Sequence, residues 1–356
     1  MNGEGQQRIG FSCSYTPLPL IDAAGFVPYR ILPLGSAPDQ AGSLLHDNMC
    51  PHVKRVLDRA LAADLPQLAG VVFMNSCDAM RRLADAWQVA RPTDRTVLVD
   101  LPSVNDDGAV AYFAAELARL ADELSRWSGR PLTPGGIARS AARYRDLASA
   151  LDGLGVRAAA RTLPGGRRAF QELLNRSVTM PVDETLAEVR RLEAAPGVAP
   201  GPGGPVPLYL FGNVLPDPEA FDLFDSCGAL VVADDVCTGS RQIVPLECDG
   251  EPDGLRQIAR GLLRRPACAR TMEAGYPGTF AQRVVHGAKD WGARGVIAHV
   301  MKFCDPYLVR LPGVREALQK AGLPLLILEG DCTLRSLGQH RTRIEAFVEM
   351  LGGSRS

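Results

Sequence analysis

Residues 68–77 read LAGVVFMNSC, and residues 79–90 continue as AMRRLADAWQVA. The first part, residues 68–75, is a short apolar run rich in Val, which reads as a strand of a parallel sheet; the second carries a helical pattern. Residues 95–101 (RTVLVDL) supply another such strand. Upstream, residues 25–34 (GFVPYRILPL) form a third, with helical patterns at 18–24 and 51–63. The result is a βαβ rhythm. Beyond residue 108 the pattern changes to long Ala, Leu, Arg and Glu stretches at helical spacing, with Leu117, Leu120, Leu124 and Trp127 on one face. Residues 195–207 (APGVAPGPGGPVP) are too dense in Gly and Pro for a helix or a central strand. The βαβ rhythm then returns, with strands at 207–211, 229–233, 295–299 and 324–329 and helices near 217–226, 279–293, 314–321 and 335–351.

These patterns predict an α/β fold in which two parallel-sheet units flank a helical region. The boundaries expected are 1–106 for the N-terminal α/β domain, 107–200 for the mainly helical region and 201–356 for the C-terminal α/β domain. Open sheets of this kind bind ligands beyond the carboxyl ends of their strands, so the loops after the strands are where chemistry is expected.

The chain has 356 residues, 39 Lys+Arg against 40 Asp+Glu, and a formal net charge of −1, which gives no basis for binding nucleic acid or an acidic membrane. No apolar run approaches the roughly 20 residues that a membrane helix requires. The first residues lack a basic-then-apolar signal pattern, so the chain is expected to be cytoplasmic. The nine cysteines form no CxxC pair. A disulfide scaffold belongs to small secreted domains, which leaves buried thiols or a metal site assembled from distant loops.

Three cysteines occupy comparable positions. Cys77 follows the strand at 68–75 and precedes a helix, Cys304 comes shortly after the strand at 295–299, and Cys50 precedes the helix opened by Pro51. Helix starts favour thiolates and anionic clusters, because backbone N–H groups and the helix dipole point there. Ordinary burial explains many free cysteines, so packing thiols and one shared metal site both stand as readings. Cys227 reads as helix-end packing, whereas Cys248 and Cys268 fall in segments without a clear pattern.

A second constellation, Asp234-Asp235-Val236-Cys237-Thr238-Gly239-Ser240-Arg241, follows the strand at 229–233. It offers carboxylates, a thiol, hydroxyls and a fixed cation, so Asp235, Thr238 and Arg241 are candidates for contact with a polar substrate; a capping turn with surface charges is the plainer alternative. The stretch 338–347 reads as an amphipathic closing helix with solvated arginines. His46 and Asp78 are possible acid–base groups, although lone residues of these types on loops are usually structural. GxGxxG, the Walker P-loop, HExxH and GxSxG are all missing, and with them the local chemistry of dinucleotide enzymes, P-loop kinases, zincins and α/β-hydrolases.

Six stretches, in order, carry a resemblance: 13–30 (CSYTPLPLIDAAGFVPYR), 47–61 (DNMCPHVKRVLDRAL), 70–87 (GVVFMNSCDAMRRLADAW), 228–241 (GALVVADDVCTGSR), 299–308 (HVMKFCDPYL) and 324–351 (PLLILEGDCTLRSLGQHRTRIEAFVEML). Together the chain resembles subunits of the 2-hydroxyacyl-CoA dehydratase family, which includes benzoyl-CoA reductase catalytic subunits and double-cubane-cluster reductases. The resemblance implies two Rossmann-like or flavodoxin-like domains plus a helical one. It implies that Cys50, Cys77 and Cys304 hold a 4Fe-4S cluster with an open iron corner. It further implies a homologous second subunit in a heterodimer, or a homodimer, an ATP-dependent iron–sulfur activator that delivers one low-potential electron, and an acyl-CoA or aryl-CoA substrate.

The chemistry implied has a clear physical need. The β-hydrogen of a 2-hydroxyacyl thioester is scarcely acidic, and adding an electron to the thioester carbonyl gives a ketyl radical anion that can expel the adjacent hydroxide. In a reductase relative the same electron enters a ring or another acceptor that is hard to reduce. Cys13, Cys237 and Cys332 also lie on loops, and six cysteinates suffice for a double-cubane cluster in a reductase of small molecules. A third alternative is a clusterless partner that shapes a heterodimer's substrate cavity. No catalytic residue is singled out, and Arg81, Arg82 and Arg241 are equivalent candidates for the phosphates of CoA.

Overall fold

In the computed structural model the described residues are 6–35, 37–199, 204–243, 253–273, 278–332, 334 and 337–352. The chain begins with β1 (Arg8–Phe11), α1 (Leu18–Ala23), β2 (Val27–Arg30), α2 (Pro51–Leu61), β3 (Leu68–Asn75), α3 (Asp78–Ala90) and β4 (Thr96–Asp100). Four helices follow: α4 (Asp107–Ser128), α5 (Pro134–Ala159), α6 (Gly166–Arg176) and α7 (Val182–Ala194). The remainder comprises β5 (Val206–Gly212), α8 (Glu219–Ser226), β6 (Ala229–Asp235), α9 (Gly254–Arg264), α10 (Thr279–Asp290), β7 (Gly295–Met301), α11 (Asp305–Lys320), β8 (Leu325–Gly330) and α12 (Leu337–Gly352).

The strands form two four-stranded sheets in the orders β2-β1-β3-β4 and β6-β5-β7-β8. Every ladder is parallel. The fold is therefore α/β, as the βαβ rhythm predicts, and the second sheet repeats the strand order of the first. Central strands are mostly apolar because both faces are covered. In β3, Val72 and Met74 face a core with α1, α4 and α9, while Val71 and Phe73 face α2 and α3. In the second sheet Ile297 of β7 packs towards α8 and α12, whereas Val296, Ala298 and Val300 pack towards α10 and α11. The edge strand β4 instead alternates between buried and half-buried residues.

Helix ends follow local chemistry. Asp106 caps α4 by accepting from the Ala109 N–H, and Thr133 caps α5 by accepting from the Gly136 N–H. Leu117, Leu120 and Leu124 form the buried stripe of α4. Trp127 reaches the first sheet at Gly70, where a Cβ would lie 2.6 Å from its ring, so only glycine fits beneath it.

Several elements differ from the sequence expectation. Strand β1 is only four residues long and follows a polar start, so its RIGF run carries little periodic signal. Helix α9 went unassigned although Ile258, Ala259, Leu262 and Leu263 are buried on one side of it. These residues complete the core beneath the first sheet, tying a late segment to the N-terminal half. Helix α11 begins at Asp305, nine residues before the expected start at 314, and it contains Pro312. Within the expected 195–207 loop, residues 200–203 lie outside the described residues, as do residues 335–336 at the start of the expected last helix.

His299 lies within β7 at 1% exposure, and burial pushes its pKa down to about 4. An unfolded chain takes up that proton near pH 6.5, whereas the folded chain takes it up only near pH 4. The contribution is thus fully present above pH 6.5 and is lost as pH falls towards 4, by an amount on the order of 3 kcal/mol. Urea denaturation at pH 7.0 and pH 4.5 should show a smaller acid-induced loss in His299→Leu than in the wild type. Equal losses in the two proteins would contradict this assignment.

Candidate functional site

Parallel strands end at one edge of their sheet, and the following helices start there. Cys77 is the N-cap residue of α3, Cys50 that of α2 and Cys304 that of α11. All three line one cavity of about 100 Å³ to which both sheets contribute. Cys13, Cys237 and Cys268 line the same cavity. The structure therefore brings together Cys50, Cys77 and Cys304, and also Cys13 and Cys237. Cys332 is 1% exposed, packs with Met301 and Val214, and is not among the residues lining the cavity.

Burial governs the thiols. It pushes Cys50 upward, Cys77 to about 11 and Cys304 to about 12, against backbone N–H groups at the helix starts that pull each one down. The three also act on one another: Cys50 raises both Cys77 and Cys304, and Cys77 raises Cys304. The Cys304 Sγ accepts a hydrogen bond from Asn213 Nδ2 at 2.9 Å. Among the described residues no group of three His, Cys, Asp or Glu side chains converges on a point that suits a single metal ion. A mononuclear site needs every sulfur within roughly 2.3 Å of the same ion. An iron–sulfur cube binds each sulfur to a different iron and accepts a wider spacing.

Cys237 and Cys268 share the cavity wall, and Cys268, aided by Arg241 and Arg30, holds the Cys237 thiol well below its ordinary value against burial. Arg30 is 2% exposed and lines the cavity. Its Nη1 donates to the Cys237 carbonyl at 2.8 Å and to Gln242 Oε1 at 2.6 Å, while its Nε has no hydrogen-bond partner. Arg265 lies 4.5 Å over the Tyr15 ring and donates to the carbonyls of Ser14 and Arg241. These two buried cations are bonded to carbonyl and amide oxygens, a setting that favours a nearby anion. His52 also lines the cavity; burial, reinforced by Arg30, lowers its pKa to about 3, so its ring is neutral.

The loop after β6 is built as an internal brace. Arg241 is 2% exposed and pairs with Asp235 at 2.8 Å, and it also donates to the Gly212 carbonyl and to the Tyr307 hydroxyl. Thr238 Oγ1 accepts from the Leu215 N–H at 2.9 Å. Asp234 pairs with the buried Arg167 at 2.9 Å and accepts from the Ser240 N–H at 2.7 Å. Gly239 has no room for a side chain, because a Cβ there would lie 2.0 Å from the Asp234 carboxylate. Asp235, Thr238 and Arg241 are not among the residues that line the cavity. Arg82 pairs with Asp78 and Asp85 on the outer face of α3, and Cys227 ends α8 as a buried residue. Cys248 lies outside the described residues.

Sequence reasoning passed over Cys268, Arg30, His52 and Asn213. Two signals were available: an arginine inside the apolar run 25–34, and the strict helical spacing of α9, which delivers Cys268 to the cavity. Asn213 directly follows β5, a position equivalent in kind to the loops that carry the cysteines.

A doubled α/β chain with a thiol-lined cavity between its sheet edges is thus the class of protein defined by fold and site. The chain belongs to the family described as 2-hydroxyglutaryl-CoA dehydratase, D-component, which matches residues 13–351. It is similar to the lactoyl-CoA dehydratase subunit beta of Anaerotignum propionicum, with 24% identity covering 98% of this chain and 92% of the relative. The (R)-phenyllactyl-CoA dehydratase beta subunit of Clostridium sporogenes is 22% identical over 99% of this chain and 93% of its own length. A subunit of the benzoyl-CoA reductase of Thauera aromatica is 21% identical over 89% of this chain and 84% of its own.

The brace makes a direct prediction. Arg241→Met leaves the buried Asp235 carboxylate with only Arg283, 3.6 Å away, so the variant should lose stability, by less than the about 3–5 kcal/mol typical of a fully stranded buried charge. Chemical denaturation should show that loss. A variant as stable as the wild type would show that the Arg241–Asp235 pair does not hold this loop together.

Proposed function

We propose that this chain is the iron–sulfur subunit of a 2-hydroxyacyl-CoA dehydratase or benzoyl-CoA reductase-like enzyme, with Cys50, Cys77 and Cys304 holding a 4Fe-4S cluster. The observation that carries the reading is the convergence of these three thiols, each at the N-terminus of a helix, on one cavity lined from both sheets. Family membership supports it, as do relatives named as dehydratase beta subunits. On this reading the enzyme also has a second, related subunit, an ATP-dependent iron–sulfur activator supplies the electron, and the substrate is an acyl-CoA or aryl-CoA thioester.

The residues present fit the cofactor. Three thiols on one cavity wall, a hydrogen-bond donor on one sulfur and a buried arginine whose Nε has no partner among the described residues suit an anionic iron–sulfur group. When bound, such a cluster supplies one strongly reducing electron and an iron corner that acts as a Lewis acid. The chain's own residues do the rest. Arg30 contributes a fixed positive charge at the cavity wall, and His52 stays neutral, so it neither adds to that charge nor repels a cation. Val53, Met80, Val214 and Met301 give the wall an apolar surface that excludes water from a reducing site.

One observation favours a second reading. Cys13, Cys237 and Cys268 share the cavity, which provides six thiols for a double-cubane cluster, with Cys268 in the place that the sequence reading gave to Cys332. Arg30 and Arg265 would then offset the larger negative charge.

Anaerobic reconstitution of the full chain, with iron and sulfide quantified, tests both. A single cube corresponds to roughly four irons per chain, and Cys50→Ser, Cys77→Ser or Cys304→Ser should each reduce loading sharply. A double cubane corresponds to about twice that iron, with further loss in Cys13→Ser, Cys237→Ser or Cys268→Ser. A colourless chain that takes up no iron would leave a clusterless partner subunit as the function.

A further inference from the structure

Asn213 is 6% exposed and sits where three chain segments meet at the edge of the second sheet. Its backbone N–H donates to the His299 carbonyl in β7 at 3.1 Å, and its carbonyl accepts from the Cys237 N–H beyond β6 at 2.8 Å. Its side-chain Oδ1 accepts from the Met301 N–H at 2.9 Å, and Nδ2 donates to Cys304 Sγ at 2.9 Å. The preceding Gly212 closes the arrangement, since a Cβ there would lie 1.9 Å from the His299 carbonyl oxygen. The backbone cannot shift towards β7, and the side chain has two fixed partners.

The orientation of the amide follows from chemistry. Met301 N–H is a buried obligate donor, so the atom facing it must be the oxygen. The NH₂ group therefore faces the sulfur. Phe303, just before Cys304, has φ +58°, a left-handed conformation that a bulky residue holds only where its surroundings impose it, and its side chain is exposed at 47%. The turn around Phe303 is closed by the Cys304 N–H donating to the Met301 carbonyl at 3.3 Å and the Lys302 N–H donating to the Gly330 carbonyl at 3.0 Å, and the Asn213 hydrogen bond reaches the sulfur of the next residue.

We infer that Asn213 is a positioning residue for the metal centre, orienting the Cys304 sulfur and setting the electron affinity of the cluster through an N–H to sulfur hydrogen bond. The inference rests on the cluster proposed above. A donor to a ligating sulfur stabilises the added charge of the reduced state more than the oxidised state, so it makes reduction easier. Loss of the donor moves the midpoint potential in the negative direction.

The test is potentiometric titration, followed by EPR, of the anaerobically reconstituted full chain. Asn213→Asp keeps an oxygen for the Met301 N–H but puts a second oxygen at the sulfur, and Asn213→Leu removes both contacts. Both variants should load iron like the wild type yet reduce at a more negative potential, or should lose iron to the same extent as Cys304→Ser. Either result supports the role. A variant that loads fully and titrates at the wild-type potential overturns it, even if its thermal stability has dropped. The wild type gives an independent measurement: with ¹⁵N-labelled asparagine, pulsed EPR should detect a nitrogen coupled to the reduced cluster, and absence of that coupling also overturns the inference. A wild-type chain that takes up no iron removes the cluster itself, a failure distinct from a loaded cluster indifferent to Asn213.

Discussion

Parallel strand pairing is the constraint on which the rest of this structure depends. A parallel ladder forces each connection to cross the sheet as a helix, so every strand ends at one edge and a helix N-terminus opens near it. Here the constraint acts twice, with the same strand order in both sheets. The cavity draws its lining from both edges, which is how residues as far apart in sequence as Cys50 and Cys304 come to share it. No local motif could bring about that convergence. It requires both sheets to form and to face each other, and α9 helps by packing a late segment into the core of the first sheet.

The cavity is costly to keep. Burial works against the ionised form of Cys77 and Cys304 and against the charges of Arg30 and Arg265. Carbonyls, an amide and backbone N–H groups at helix starts offset part of that cost. The proposed cluster, held by these cysteines, would offset more of it, since metal binding replaces the thiol protons. Burial keeps Cys77 and Cys304 protonated, whereas Cys237, held well below its ordinary value, supplies negative charge beside Arg30 and Arg241.

Much of the fold was legible in the sequence because its signals are local. The continuous apolar run at β3 and the stripe of Leu117, Leu120 and Leu124 on α4 each report directly on burial. Strand β1 was missed because four residues give almost no period, and α9 was missed despite a good one because it lies in a region crowded with arginine, proline and cysteine. The site was partly legible for the same reason. Cys77 and Cys304 were placed by counting from strong strands, whereas Cys268 needed α9 first. Asn213 could be identified only through its contacts, since an asparagine after a strand is ordinary until its amide is seen facing a sulfur.

The loop after β6 shows why a matching motif and a working site are different things. Its carboxylates and its arginine look like ligand-binding chemistry in the sequence, and they lie within one of the stretches that carry the family resemblance. In the structure Asp234 and Arg167, and Asp235 and Arg241, neutralise each other inside the protein, and Thr238 accepts a backbone N–H. Breaking such a buried pair strands a charge, so the residues are held in place by the cost of losing one partner rather than by a gain in stability from having both. What the brace secures is the path of the backbone: it fixes the turn from which the Cys237 N–H reaches the Asn213 carbonyl, and Asn213 in turn reaches Cys304. The charged motif thus acts on the cavity at one remove, by holding the residues that hold the sulfur.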